Sequence, residues 1–119
     1  MKTRREVIAA CMAFENVYED YPFDENWTVM RHSVGNKAFA LIYEREGKIW
    51  VNVKQPPEDC FILRELYPSV LPAYHMNKRH WVSIVLDGSM KKREIVPLLK
   101  NSYDLTAPRL RRAKRAPEE

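Results

Sequence analysis

The chain has 119 residues, 45% of them hydrophobic, which suits one globular domain and excludes a multidomain enzyme. A chain of this length buries enough surface to fold without disulfide or metal staples, and its net charge of +4 is too small for a wholly disordered polyelectrolyte. The charge is uneven: residues 1–60 hold 8 basic and 10 acidic side chains, whereas residues 61–119 hold 12 and 6, so the second half carries any attraction for an acidic partner.

Thr3 with Glu6 three positions later is a capping-box pattern, and the spacing predicts a first helix over about Thr3 to Phe14 with Val7, Ile8, Cys11 and Met12 inward. An acidic and aromatic stretch around Pro22 follows, where proline breaks any helix, and then a strand from Trp27 to His32. Gly35-Asn36 and Gly47 mark the reversals of a three-strand meander over Thr28–His32, Ala38–Tyr43 and Lys48–Lys54. In the last of these, Ile49, Val51 and Val53 alternate with Trp50, Asn52 and Lys54, one set for each face of a sheet.

Pro56-Pro57-Glu58-Asp59 opens a second helix reaching about Tyr67, with proline near the first turn and two acids at its positive end, burying either Cys60, Leu63 and Tyr67 or Ile62 and Leu66. Pro68 and Pro72 stop it, and a loop or short edge strand leads to a strand at Trp81–Leu86. A third helix is predicted over Lys91 to Tyr103, with Pro97 forcing either a late start near Arg93 or a kink. The tail holds five basic residues between Arg109 and Arg115. The element order predicts an α+β domain, a two-layer structure with helices packed against an antiparallel sheet.

Cys11 and Cys60 are too few for a disulfide scaffold and fall in apolar helical runs, which suits buried thiols in a reducing cytoplasm. No signal-peptide pattern or membrane-length apolar run is present in the sequence. His75 and His80, five positions apart, with Cys60 and Asp59 nearby fit no metal-ligand spacing, and three scattered glycines build no phosphate loop. Ser83 and Ser102 lack a nucleophile-elbow context.

Tyr74-His75-Met76-Asn77-Lys78-Arg79-His80-Trp81 is different in kind, since it offers cations for phosphates and rings for base stacking within eight residues. The strand alternation adds that Trp50, Lys54 and Trp81 share one sheet face, either a stacking platform or an apolar patch for a partner.

Several segments together resemble the YjbR/MmcQ family of small bacterial proteins: Tyr21-Pro22-Phe23-Asp24, Met30-Arg31-His32, Asn36-Lys37-Ala38-Phe39-Ala40, Asn52-Val53-Lys54, Tyr74 to Trp81, and Ser102-Tyr103-Asp104-Leu105. The resemblance implies the order α-β-β-β-α-β-β-α, a fold similar to type III secretion chaperones and CyaY-like domains, with one domain over residues 1–105 and a basic tail over 106–119. It places the family's marked positions on Pro22, Phe23, Arg31, Lys37, His75, Asn77, Lys78, His80, Trp81 and Ser102. The family is labelled DNA-binding because its hairpins look like a double wing.

With the residue reading, this implies a non-enzymatic, cytoplasmic DNA-binding protein with no cofactor, no metal and no membrane contact. Lys37, Lys54, Lys78, Arg79, Lys91 and Lys92 are expected on phosphates, with His75, Asn77, His80 and Trp81 near bases or sugars. The alternative is a protein-interaction module, or a homodimer, through Trp50, Tyr74 and Trp81. A third option is capture of a small aromatic compound on the same rings.

Overall fold

Thr3 starts the first helix as the sequence predicts. Its hydroxyl accepts the Glu6 N–H at 3.2 Å, while the Glu6 carboxylate accepts the backbone N–H groups of Thr3 and Lys2. These hydrogen bonds favour the ionised acid and bring the Glu6 carboxyl down to about 2. The computed structural model describes residues 1–108.

Among the described residues nine elements follow one another: α1 (Arg4–Met12), β1 (Val17–Asp20), β2 (Thr28–His32), β3 (Ala38–Arg45), β4 (Lys48–Lys54), α2 (Pro57–Leu66), β5 (Val70–Pro72), β6 (Trp81–Val85) and α3 (Lys92–Leu105). The strands form one antiparallel sheet in the order β1-β2-β3-β4-β6-β5. All three helices pack on one face of it. There Ile42, Val51, Val53, Val82 and Ile84 meet Val7 and Cys11 of α1, Cys60 of α2, and Ile95, Leu98 and Leu99 of α3. The α+β class and the two-layer arrangement are those expected.

Three details depart from the sequence expectation, and a fourth, on α2, decides between two alternatives that it left open. β1 is an additional strand, entered through Asn16 in the left-handed region and paired to β2, where Arg31 holds Asp20 at 2.8 Å. Helix α1 ends at Met12, and that side chain is 43% exposed instead of inward. On α2 the buried side is Cys60, with Leu63 and Tyr67 packed against the core, while Ile62 and Leu66 face out. Helix α3 runs through Pro97 without ending; the proline lies on the exposed side, so the hydrogen bond lost is the one that the Arg93 carbonyl would have accepted.

At the end of α3, Thr106 caps the helix through a 2.7 Å bond from its hydroxyl to the Ser102 carbonyl, and lies 2.9 Å from the Nε2 of buried His32. The packed body therefore includes residue 106. The basic tail from Arg109 onward lies outside the described residues. Cys11 and Cys60 are both buried and free, and burial pushes the Cys11 thiol up to about 12. No helix among the described residues is long and apolar enough to cross a membrane.

Candidate nucleic-acid interface on the open face of the sheet

The sheet face opposite the three described helices, the open face, is built from the alternate residues of the same strands. Tyr43 pairs with Trp50 across β3 and β4, Asn52 with Ser83, and Lys54 with Trp81 across β4 and β6. In its middle, the Tyr43 hydroxyl donates to Asn52 Oδ1 at 2.8 Å and Asn52 Nδ2 donates to the Tyr74 carbonyl at 2.8 Å. The Tyr74 N–H in turn donates to Ser83 Oγ at 2.9 Å. These bonds pull the chain after β5 back across the face. Burial of the Tyr43 phenol under that loop pushes it up to about 12.

An aromatic cluster covers this network. Trp27 stacks on Tyr43 at 4.2 Å, and the Arg45 guanidinium lies 4.1 Å from the Tyr74 ring and 4.7 Å from that of Trp50. Trp50 is only 5% exposed, and its Nε1 donates to the Arg45 carbonyl at 3.0 Å. The expectation that Trp50 forms part of an exposed platform is therefore corrected: the period-2 pattern placed it on the right face, and Tyr74 and Arg45 then cover it. His75 adopts a φ of 61° and sets its ring 4.0 Å from Tyr74. It thus belongs to the aromatic cluster near Trp50, four residues along β4 from Lys54, which is about 13 Å at strand rise.

The expected cations separate into two groups. Lys54 ends β4 directly opposite Trp81, the first residue of β6, and both are partly exposed. Lys78 and Arg79 are exposed in the loop that enters β6 at this same end of the sheet. Lys37 is exposed in the β2–β3 turn, also at this end because Ala40 pairs with Val53. Asn77 shapes the loop: its Oδ1 accepts the Arg79 N–H at 2.9 Å and its carbonyl accepts those of His80 and Trp81. The His80 carbonyl accepts the Gln55 N–H at 3.0 Å, tying the loop to the end of β4.

Lys91 and Lys92 are elsewhere. They stand at the start of α3, on the helix layer, while the Ser102 end of the same helix touches Lys54. Ten helical residues, about 15 Å, separate Lys92 from Ser102, so these two lysines lie on the opposite layer and at the opposite end from Lys54 and Trp81.

The two hairpin tips differ as well. At the β3–β4 tip Arg45 is committed to its two rings, leaving Glu44, Glu46 and Lys48 exposed. Asp24 and Glu25 lie at the same end, since Asn26 exchanges hydrogen bonds with the Glu44 backbone. One end of the open face is thus basic and the other acidic. Among the described residues no group of three or more His, Cys, Asp or Glu side chains is placed to hold a metal ion.

The YjbR family model matches residues 12–105. The chain belongs to the YjbR family. It is similar to YyaQ of Bacillus subtilis (strain 168), 33% identical over 118 residues that span 89% of this chain and 99% of that one. Its similarity to YjbR of Escherichia coli (strain K12) is 33% over 101 residues, covering 85% and 84% of the two chains. Among solved structures, Deinococcus radiodurans protein DR2400, a DUF419 domain, superposes with a TM-score of 0.80 at 30% identity, covering 88% of this chain and 78% of that chain. A Pseudomonas syringae protein gives 0.78 at 30% identity, covering 88% and 99%.

In this YjbR chain, three of the positions expected from the family pattern hold the fold. Arg31 bridges Asp20 and the Asn36 carbonyl, and buried Ser102 links α3 to β3 and β4. Asn77 forms its loop. Phe23 is 68% exposed and packs edge-on against Trp27 at 6.3 Å, on the acidic side of the face. Trp27, Tyr43 and Arg45 were not singled out from sequence. The Tyr43–Trp50 register was the available signal, but nothing local says that a loop 24 residues later covers the pair.

Proposed function

We propose that this YjbR-family chain is a non-enzymatic, cytoplasmic DNA-binding protein that takes the phosphate backbone at the basic end of its open sheet face. The observation that carries the reading is the pair Lys54 and Trp81, opposite one another on the side that none of the described helices covers. Lys37, Lys78 and Arg79 lie exposed at the same end. Cations fix the backbone and a partly exposed ring offers a surface for a base or sugar. Two free, buried cysteines suit a reducing compartment.

Docking is through this end and its loop, not through a pair of equivalent wings, because the β3–β4 tip leaves two acids and one lysine toward solvent. The apolar-patch alternative is weaker, since Trp50 is buried within the chain's own aromatic cluster.

The test is fluorescence anisotropy of labelled duplex and single-stranded DNA at two salt concentrations. Lys78→Ala/Arg79→Ala should weaken binding and lower the slope of log affinity against log salt by about 2. An unchanged slope overturns the assignment of those contacts.

A further inference from the structure

On the opposite layer, α1 and the first turns of α3 enclose an open groove of about 360 Å3 whose lining includes Met1, Glu6, Ala9, Phe14, Lys92 and Val96. A neighbouring hollow is lined by Lys91, Lys92, Arg93 and Val96. We propose that this groove docks an acidic, helix-forming peptide segment of a protein partner, with its apolar side chains between α1 and α3 and its carboxylates on Lys91, Lys92 and Arg93.

Charge carries the choice of occupant. Three consecutive cations stand at the N-terminal end of α3, where the helix dipole disfavours positive charge. The two ion pairs among the described residues are Arg31–Asp20 and Lys100–Asp104, and neither involves these cations. The nearby acids are engaged otherwise: the Glu94 carboxylate accepts the Lys91 backbone N–H at 2.7 Å, and Glu6 is turned into the α1 cap. A cationic rim beside an apolar floor, its three side-chain cations outnumbering the nearby carboxylates of Glu6 and Glu94, matches a segment that brings carboxylates and apolar side chains together.

Other occupants fit less well. The chain's own tail brings five more cations between Arg109 and Arg115. A second copy docked groove to groove about a two-fold axis would set like-charged rims together. A nucleic acid would use the cations and leave the apolar floor unfilled.

The probe is a fluorescein-labelled peptide of about 14 residues with Leu on one helical face and Glu on the other, titrated with the full chain. A second peptide has every Leu replaced by Ser. The first should bind at least tenfold tighter than the second. Lys92→Glu/Arg93→Glu should lose at least tenfold in affinity for it, with melting temperature unchanged or raised, since acids suit that helix end. Ala9→Trp, an exposed position lining the groove, should also lose binding.

Both variants should keep wild-type DNA affinity, which separates failure here from failure of the DNA reading. Equal binding of the two peptides, no binding of the Leu peptide, or capture of anionic phosphatidylglycerol vesicles without the Leu peptide would overturn the proposal.

Discussion

The Ser102 hydroxyl, on α3, accepts the backbone N–H of Lys54 at 2.8 Å at the last residue of β4. It donates in turn to the Phe39 carbonyl at 2.6 Å, so one buried side chain joins the last helix to two central strands. The bond fixes the end of β4 from which the Lys54 side chain projects to the other face. Ser102→Ala leaves a donor and an acceptor unmet and should cost about 1–3 kcal/mol, read as a lower urea midpoint with an unchanged m-value. Ser102→Thr should not rescue it, because a methyl group has no room at a fully buried site.

Tyr43 makes stability fall in alkali. Its phenol ionises near 10 in the unfolded chain and at about 12 when buried beneath Trp27 and Tyr74, so the unfolded state releases its proton first. The contribution is complete below pH 10 and is lost as pH rises toward 12. Thermal melts between pH 9 and 12 should show a flatter decline for Tyr43→Phe than for the wild type. At pH 7 the same variant should be less stable by about 1 kcal/mol for the lost bond to Asn52.

Trp50→Ala should act on folding. Removing a 95% buried indole costs about 3–5 kcal/mol, and it also strips Arg45 of one of its two rings. The expected result is a steep loss of thermal stability with the molar mass by light scattering unchanged. A wild-type dimer dissolved by Trp50→Ala into a stable monomer would instead make this ring an interface residue.

Most of what the sequence made legible was local or periodic. Thr3 and Glu6 announced α1 because a capping box is complete within four residues. The alternation from Ile49 to Lys54 placed Lys54, Trp50 and Trp81 on one face correctly, because register follows from the apolar set. What stayed hidden depends on distant partners. β1 is four residues long with two acids, so its strand character comes from pairing with β2 and from the Arg31–Asp20 contact rather than from its own residues. The burial of Trp50 depends on the Asn52 amide holding the Tyr74 carbonyl, a contact across 22 positions. The same long-range folding separated Lys91 and Lys92 from the other cations, which a linear charge count groups with them.

In the proposed function the basic end of the open face, and not the net charge, binds DNA. Its most direct test compares two triple variants that remove the same charge from opposite layers: Lys54→Ala/Lys78→Ala/Arg79→Ala and Lys91→Ala/Lys92→Ala/Arg93→Ala. Duplex affinity is measured by anisotropy over a salt series. The first should lose at least tenfold in affinity at low salt and lower the salt slope by about 3, while the second keeps the wild-type slope. Equal losses in the two variants, or none in the first, would contradict DNA binding at this end of the face.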